Sequence, residues 1–303
     1  MPKLGLALGG GGARGLAHIG VLKTLEKEGV EISAITGCSM GAVVGGLYAF
    51  YGSATKVEDH MLKILQSPKF QELPFDELKK DGNPTDKNYF EEIIDYIGMR
   101  LYAFKSLQNT SFLEEELAIE IFTSIPDEKI ENLKIKFSAI ATDLLSGEEI
   151  NFTRGGLQKV LQASAAIPGI FPPVNIDKYH LVDGSASESV PVGKVKEIGA
   201  DRVLAIDVTH NLKTIDKPVN IIDILYRAED ITSFHLSKER LREADLIISP
   251  KVKEFYWADF DKAEEIIAMG EEAVKESIED IRKLGNRNSY ILEIEQFIKK
   301  LKS

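Results

Sequence analysis

The chain opens on an apolar run, Lys3-Leu-Gly-Leu-Ala-Leu8, followed by Gly9-Gly10-Gly11-Gly12-Ala13-Arg14-Gly15. A short apolar run bounded by glycines predicts a buried strand entering a loop. Leu16, Ile19, Leu22 and Leu25 then recur at helical spacing over 14–28, and Gly29 ends that pattern. The same order repeats at once. Ile32-Ser-Ala-Ile-Thr36 predicts a second strand, Gly37-Cys38-Ser39-Met40-Gly41 a second loop, and the next helix mixes Ala42, Gly45, Gly46 and Ala49 with Val43, Val44 and Leu47. Small residues on that helix predict close packing in the centre of the molecule. Two successive strand–loop–helix units place both loops at one edge of one sheet.

Farther along, the texture changes. From about Thr55 to Glu131 the chain is charged and helical in pattern, with aromatic and leucine anchors and a break at Asp81-Gly82-Asn83-Pro84. This stretch reads as a helical insertion, either partly covering the site or serving only as packing. Strand character returns at 135–143, with a partner strand at 148–153 after the Ser146-Gly147 turn. A short helix over 156–166 stops at Ile167-Pro168-Gly169, and His180-Leu-Val182 forms a strand that delivers Asp183-Gly184-Ser185. Arg202 to Val208 is a further strand, and two amphipathic helices, 261–283 and 290–302, follow. The expected division is a core over 1–210, including the insertion, and a C-terminal helical segment over 211–303 packed on it.

Composition narrows the function classes. At 303 residues, 44% hydrophobic and 28% charged, the chain is long enough for a large globular core. Its 48 acidic against 37 basic residues give a net charge of -11, the wrong sign for general binding to nucleic-acid backbones. The same balance disfavours strong adsorption to anionic membranes but leaves transient contact with a membrane surface open. The single cysteine, Cys38, rules out an internal disulfide framework and fits a reducing, cytoplasmic setting. The first residues lack the long apolar stretch of a signal peptide, and nothing approaches the roughly 18–20 continuous apolar residues of a membrane span.

The candidate chemistry sits in the two glycine loops. In G-x-S-x-G a serine occupies a sharp strand-to-helix turn, and flanking glycines such as Gly37 and Gly41 avoid clashes across it. Ser39 is the exposed central residue of that pattern, which favours it over Cys38 as nucleophile. Amides near Gly10, Gly11 and Gly12, at a helix start, can stabilise a developing oxyanion, with Arg14 adding positive potential or serving only as a surface residue. The first loop also matches G-x-G-x-x-G at Gly10, Gly12 and Gly15, with Glu31 downstream, so a nucleotide-binding or regulatory module is the alternative from another class. Against it, the next strand ends in the serine turn rather than in an acidic residue.

An α/β-hydrolase uses the same serine turn but places several strands ahead of it, where this chain has room for two. Only His210 and His235 follow Asp183, neither in a glycine-rich loop, and His18 in the first helix reads as a packed or capping residue. A carboxylate base at a strand end is the other route. Asp183 fits, with Gly184 turning the backbone beyond it, although Asp-Gly also makes ordinary Asx turns.

Four blocks, Gly9–Gly15, Gly37–Gly41, Ala163-Ser-Ala-Ala-Ile-Pro-Gly-Ile-Phe-Pro-Pro173 and Asp183-Gly184, resemble in order those of the patatin-like phospholipases, over roughly residues 3–210. The resemblance implies a three-layer α/β/α fold with a mostly parallel central sheet, a helical insertion and C-terminal helices. It implies a serine lipid acyl hydrolase with a Ser39–Asp183 dyad, an acyl-enzyme on Ser39, an oxyanion hole from Gly10, Gly11 and Gly12, and a lipid or other ester as substrate. No metal or organic cofactor is implied. The family's last block commonly ends Asp-Gly-Gly or Asp-Gly-Ala, and Ser185 departs from that.

Overall fold

A computed structural model of the protein describes residues 2–73, 111, 113, 115–209, 212 and 221–284. The predicted helix over 290–302, His210 and the Asp81–Pro84 break lie outside the described residues. Eight strands form one sheet: β1 (Leu4–Leu8), β2 (Ala34–Cys38), β3 (Lys136–Asp143), β4 (Glu149–Phe152), β5 (Val174–Ile176), β6 (Tyr179–Asp183), β7 (Arg202–Ile206) and β8 (Leu246–Ile248). Their order is β5-β6-β3-β2-β1-β7-β8, with β4 also paired to β3. The run β3-β2-β1-β7-β8 is parallel, and β4, β5 and β6 pair antiparallel at its margin.

The two faces of β1 explain the layers. Leu4, Leu6 and Leu8 join the main core with α1 (Ala17–Lys27), α2 (Met40–Tyr51), α3 (Ala54–Leu65), α4 (Pro68–Gln71) and, after α5 (Glu115–Phe122), α6 (Leu157–Ser164). Alternate positions Gly5 and Ala7 face the other way, where small residues let a short helix, α7 (Val192–Glu197), approach closely. A Cβ on Gly5 would lie 2.5 Å from Ala200 Cβ and 2.7 Å from Val195 Cγ2. Leu241, at the end of α8 (Ile221–Leu241), completes that second core. The expected three layers are therefore present.

Helix α9 (Ala263–Leu284) matches the expected amphipathic helix, burying Ile266, Ile267, Ala273, Val274 and Ile281, while Ile278 is half-buried. Its backbone touches that of α1. A Cβ on Gly270 would lie 1.9 Å from the Ala17 carbonyl, and one on Gly20 would lie 1.9 Å from the Ile267 carbonyl. The chain beyond residue 210 adds more than helices, because β8 pairs with β7 and extends the sheet. Three apolar residues preceded by an acidic turn are too short a signal to separate from a helix. Among the described residues no helix is long and apolar enough to cross a membrane.

The α1–α9 contact supports the helix that follows the first glycine loop. Gly270→Ala is expected to lower stability by roughly 1–3 kcal/mol through overpacking, read from denaturant midpoints; an unchanged midpoint would contradict this close approach.

Candidate active site

Strand β3 is longer than β2, and that difference builds the site. Along one edge β3 pairs with β2 as far as Cys38↔Ile140, and the next residue pairs with β6 as Ala141↔Asp183. Strand β4 pairs with Ala139 to Thr142 and so must occupy the opposite edge. The C-terminal ends of β2 and β6 thus meet head to head on adjacent residues of one neighbour, and each leads directly into a candidate residue.

Ser39 follows β2 with φ 52° and ψ -126°, a left-handed conformation rare for a residue with a side chain. Such strain costs on the order of 1–3 kcal/mol and persists only when surrounding contacts enforce it. The contacts are visible. A Cβ on Gly41 would lie 2.3 Å from the Leu8 carbonyl, and one on Gly37 would lie 2.4 Å from Ala42 Cα, so the turn closes only with glycine on both sides. The Ser39 amide donates to Ser164 Oγ at 3.1 Å, at the end of α6. Two residues later, the Ala166 carbonyl accepts the Asp183 amide at 2.9 Å. Residues 164–166 therefore hold the backbones on both sides of the site.

Ser39 Oγ donates to Asp183 Oδ2 at 2.6 Å. The other carboxylate oxygen accepts from the Ser185 amide at 2.9 Å and lies 3.7 Å from Cys38 Sγ. Asp183 consequently makes the Asx turn that its sequence allows while a second oxygen engages Ser39. Gly184 is required because a Cβ there would lie 2.6 Å from the Ile140 carbonyl. Ser185, the departure from the usual last block, engages Asp183 through both its amide and its side chain. Asp183 is fully buried, and burial pushes its carboxyl above the ordinary range, opposed by the hydrogen bonds from Ser39, Ser185 and Cys38. The Cys38 thiol is also buried and is pushed well above its ordinary value by burial first and by the Asp183 charge second. It stays protonated, which removes it as a nucleophile.

The first glycine loop lies against this pair. A Cβ on Gly10 would sit 3.1 Å from Ser39 Cβ. The expectation that Gly10, Gly11 and Gly12 all offer free amides needs correction, because the Gly10 amide donates to the Ser189 carbonyl at 2.9 Å. Among the described residues, the Gly11 and Gly12 amides have no protein acceptor. Gly12 has φ +57°, and a Cβ on it would lie 2.4 Å from the Trp257 carbonyl. Arg14 is buried within the 3-10 turn Gly12–Leu16, not on the surface, and its Nε lies 3.4 Å from the Gly11 carbonyl. His18 reaches back from α1, its Nε2 donating to the Gly9 carbonyl at 2.8 Å; burial lowers its pKa to about 4, so it is a neutral brace for the loop. His235 is exposed on α8, and among the described residues no histidine bonds Ser39 or Asp183. Residues outside the two glycine loops, Ser164, Ser189 and Trp257, were not assigned roles from sequence because their contacts join distant segments.

Ser39 borders two cavities. One, of about 40 Å³, is hydroxyl-lined by Ser185, Ser189 and Thr209, with Ser233 and Ser237 from α8. The other, of about 90 Å³, is apolar and includes Met40, Val43, Met61, Ile64, Ile167 and Phe171. Part of the insertion thus borders the site, through α3, α4 and α5. Among the described residues no cluster of three or more acidic, histidine or cysteine side chains is arranged to hold a metal ion.

The model of the patatin-like phospholipase family matches residues 6–195. The chain belongs to the patatin-like phospholipase family. It is 32% identical over 209 residues to an uncharacterized NTE family protein of Mycobacterium tuberculosis, covering 68% of this chain and 49% of that one. It is 30% identical over 212 residues to a lysophospholipase of Emericella nidulans, covering 68% of this chain and 12% of the relative. The chain therefore spans about half or less of the length of these relatives. Among solved structures, VipD from Legionella pneumophila shares the fold, with TM-score 0.50 and 15% identity over 92% of this chain and 67% of that one.

A buried carboxyl whose folded value is raised contributes stability that is complete below its unfolded value of about 3.9 and lost as pH rises through the folded value. Ionisation of Asp183 is therefore a net cost to the fold. Asp183→Asn keeps an acceptor for the Ser185 amide and is expected to match or exceed the parent's denaturant stability at pH 7, with the difference shrinking towards pH 4. A loss of more than about 1 kcal/mol, the worth of an ordinary hydrogen bond, would contradict this balance.

Proposed function

We propose that the protein is a serine lipid acyl hydrolase, a phospholipase or esterase that cleaves carboxylic esters through an acyl-enzyme on a Ser39–Asp183 dyad. The observation that carries this reading is the 2.6 Å hydrogen bond from Ser39 Oγ, on a positive-φ turn, to the buried carboxylate of Asp183. Ser39 Oγ attacks the ester carbonyl carbon while its proton passes to Asp183 Oδ2. The carbonyl oxygen takes up the negative charge and accepts from the Gly11 and Gly12 amides, with Gly10 leaving room beside Ser39. Collapse breaks the ester bond, and the proton on Asp183 goes to the departing alkoxide. Water then attacks the acyl carbon with Asp183 as base, releasing the carboxylic acid and restoring Ser39.

A carboxylate raised by burial is a stronger base than one in water, which suits this role. The apolar cavity beside Ser39 suits an acyl chain, and the hydroxyl-lined one suits a polar alcohol. The lysophospholipase among the relatives supports a single-chain phospholipid among the substrates. The free cysteine, Cys38, fits a reducing, cytoplasmic setting, in which the enzyme would meet lipid at a surface. The nucleotide-binding alternative has less support: Glu31 is exposed ahead of β2, and the Trp257 backbone stands against Gly12.

Ser39→Ala and Asp183→Asn are each expected to lower kcat/KM for ester hydrolysis about 10³-fold or more; retention of activity by either would contradict the dyad. The acid limb of kcat/KM should lie above the ordinary aspartate value of about 3.9 and stay in place in His210→Gln and His235→Gln, whereas a shift in either variant would implicate histidine. Ser164→Ala should reduce kcat by about two- to tenfold, the worth of one hydrogen bond, with KM little changed and Ser164→Thr restoring the rate. An equal rise in KM would point instead to a binding role.

A further inference from the structure

The apolar cavity that begins at Ser39 ends at a wall shared with a second, larger space. Phe70, Leu73 and Phe260 line both the inner cavity of about 90 Å³ and an outer groove of about 490 Å³. The two aromatic rings meet edge to face, with centroids 5.1 Å apart and planes at 86°. Each ring comes from a short helical turn. Phe70 lies in α4, whose N-cap Ser67 accepts the Phe70 amide at 3.3 Å. Phe260 lies in the turn that leads into α9. Beyond the rings, the groove continues past Leu62 and Leu65 to a rim of three carboxylates and one lysine, Asp261, Lys262, Glu264 and Glu265.

We propose that the Phe70–Phe260 ring pair sets the acyl-chain length that this enzyme accepts, holding chains that fit the inner cavity and obliging longer ones to part the rings into the outer groove. The inference rests on the hydrolase reading and specifies the substrate of that same site. The occupant of the groove is the distal part of the acyl chain, because the groove lies directly behind the wall that closes the cavity at the nucleophile. Chains short enough to end inside the inner cavity stop before the rings, and longer ones meet them. An acidic rim disfavours a second carboxylate or phosphate at the far end, which leaves a plain alkyl terminus as the matching chemistry.

The test compares kcat/KM for p-nitrophenyl esters from butyrate to palmitate in the parent, Phe260→Ala, Phe70→Ala and Phe260→Trp. The parent should be more active on the shorter esters, octanoate included, than on palmitate. Either alanine variant should raise the palmitate-to-octanoate ratio at least tenfold, since each further buried methylene is worth roughly fourfold. Phe260→Trp should lower that ratio. Phe260→Leu, a smaller deletion for the fold, and the inhibition constants of C6 to C16 alkyl trifluoromethyl ketones give a second reading, with the long-chain ketones gaining most in the leucine variant. A parent that hydrolyses esters but keeps one chain-length profile across the variants overturns the ring-pair proposal alone. A parent that hydrolyses none, with Ser39→Ala indistinguishable from it, overturns the hydrolase reading and the ring-pair proposal with it.

Discussion

The edge of β3 is the constraint on which the rest depends. One strand edge can pair with only one partner at each residue, and here β2 ends opposite Ile140 where β6 ends opposite Ala141. Adjacent residues along a strand are about 3.3 Å apart. Two chain segments separated by more than a hundred residues therefore deliver Ser39 and Asp183 to hydrogen-bonding distance without either side chain having to reach. The backbone ladder sets the separation, and the side chains inherit it.

Around that meeting point the structure spends stability on geometry. Ser39 holds a backbone conformation that a serine ordinarily avoids, and Asp183 holds a carboxylate where burial disfavours its charge. Both are enforced from the same short segment, through Ser164 to the Ser39 amide and through Ala166 to the Asp183 amide. The first glycine loop is fixed independently, by His18 on the Gly9 carbonyl, by Ser189 on the Gly10 amide, and by the Trp257 carbonyl on the Ala13 amide at 2.6 Å. That division leaves the Gly11 and Gly12 amides facing no protein acceptor among the described residues.

Much of this was legible in the chain. The two glycine loops, the strands before them and the helices after them follow from local pattern, because a strand between glycines and a helix with small residues leave strong periodic signals. Asp183 was legible as a strand-end carboxylate, and its Asx turn coexists with the hydrogen bond from Ser39 because the carboxylate has two oxygens. What sequence left hidden is long-range. The commitment of the Gly10 amide to Ser189, the burial of Arg14 and the brace from Ser164 depend on contacts between segments that no local pattern relates. Strand β8 was hidden for a different reason: three apolar residues carry too little periodicity to mark a strand.

We propose that a carboxylate alone, with no histidine, activates Ser39. It is tested most directly by the rate at which a fluorophosphonate modifies the protein, followed by intact and peptide mass spectrometry in the parent, Ser39→Ala and Asp183→Asn. The account predicts one adduct, on the peptide that carries Ser39, formed rapidly in the parent and lost in both variants while all three remain folded. Labelling of Ser39 at the parent's rate in Asp183→Asn would contradict it.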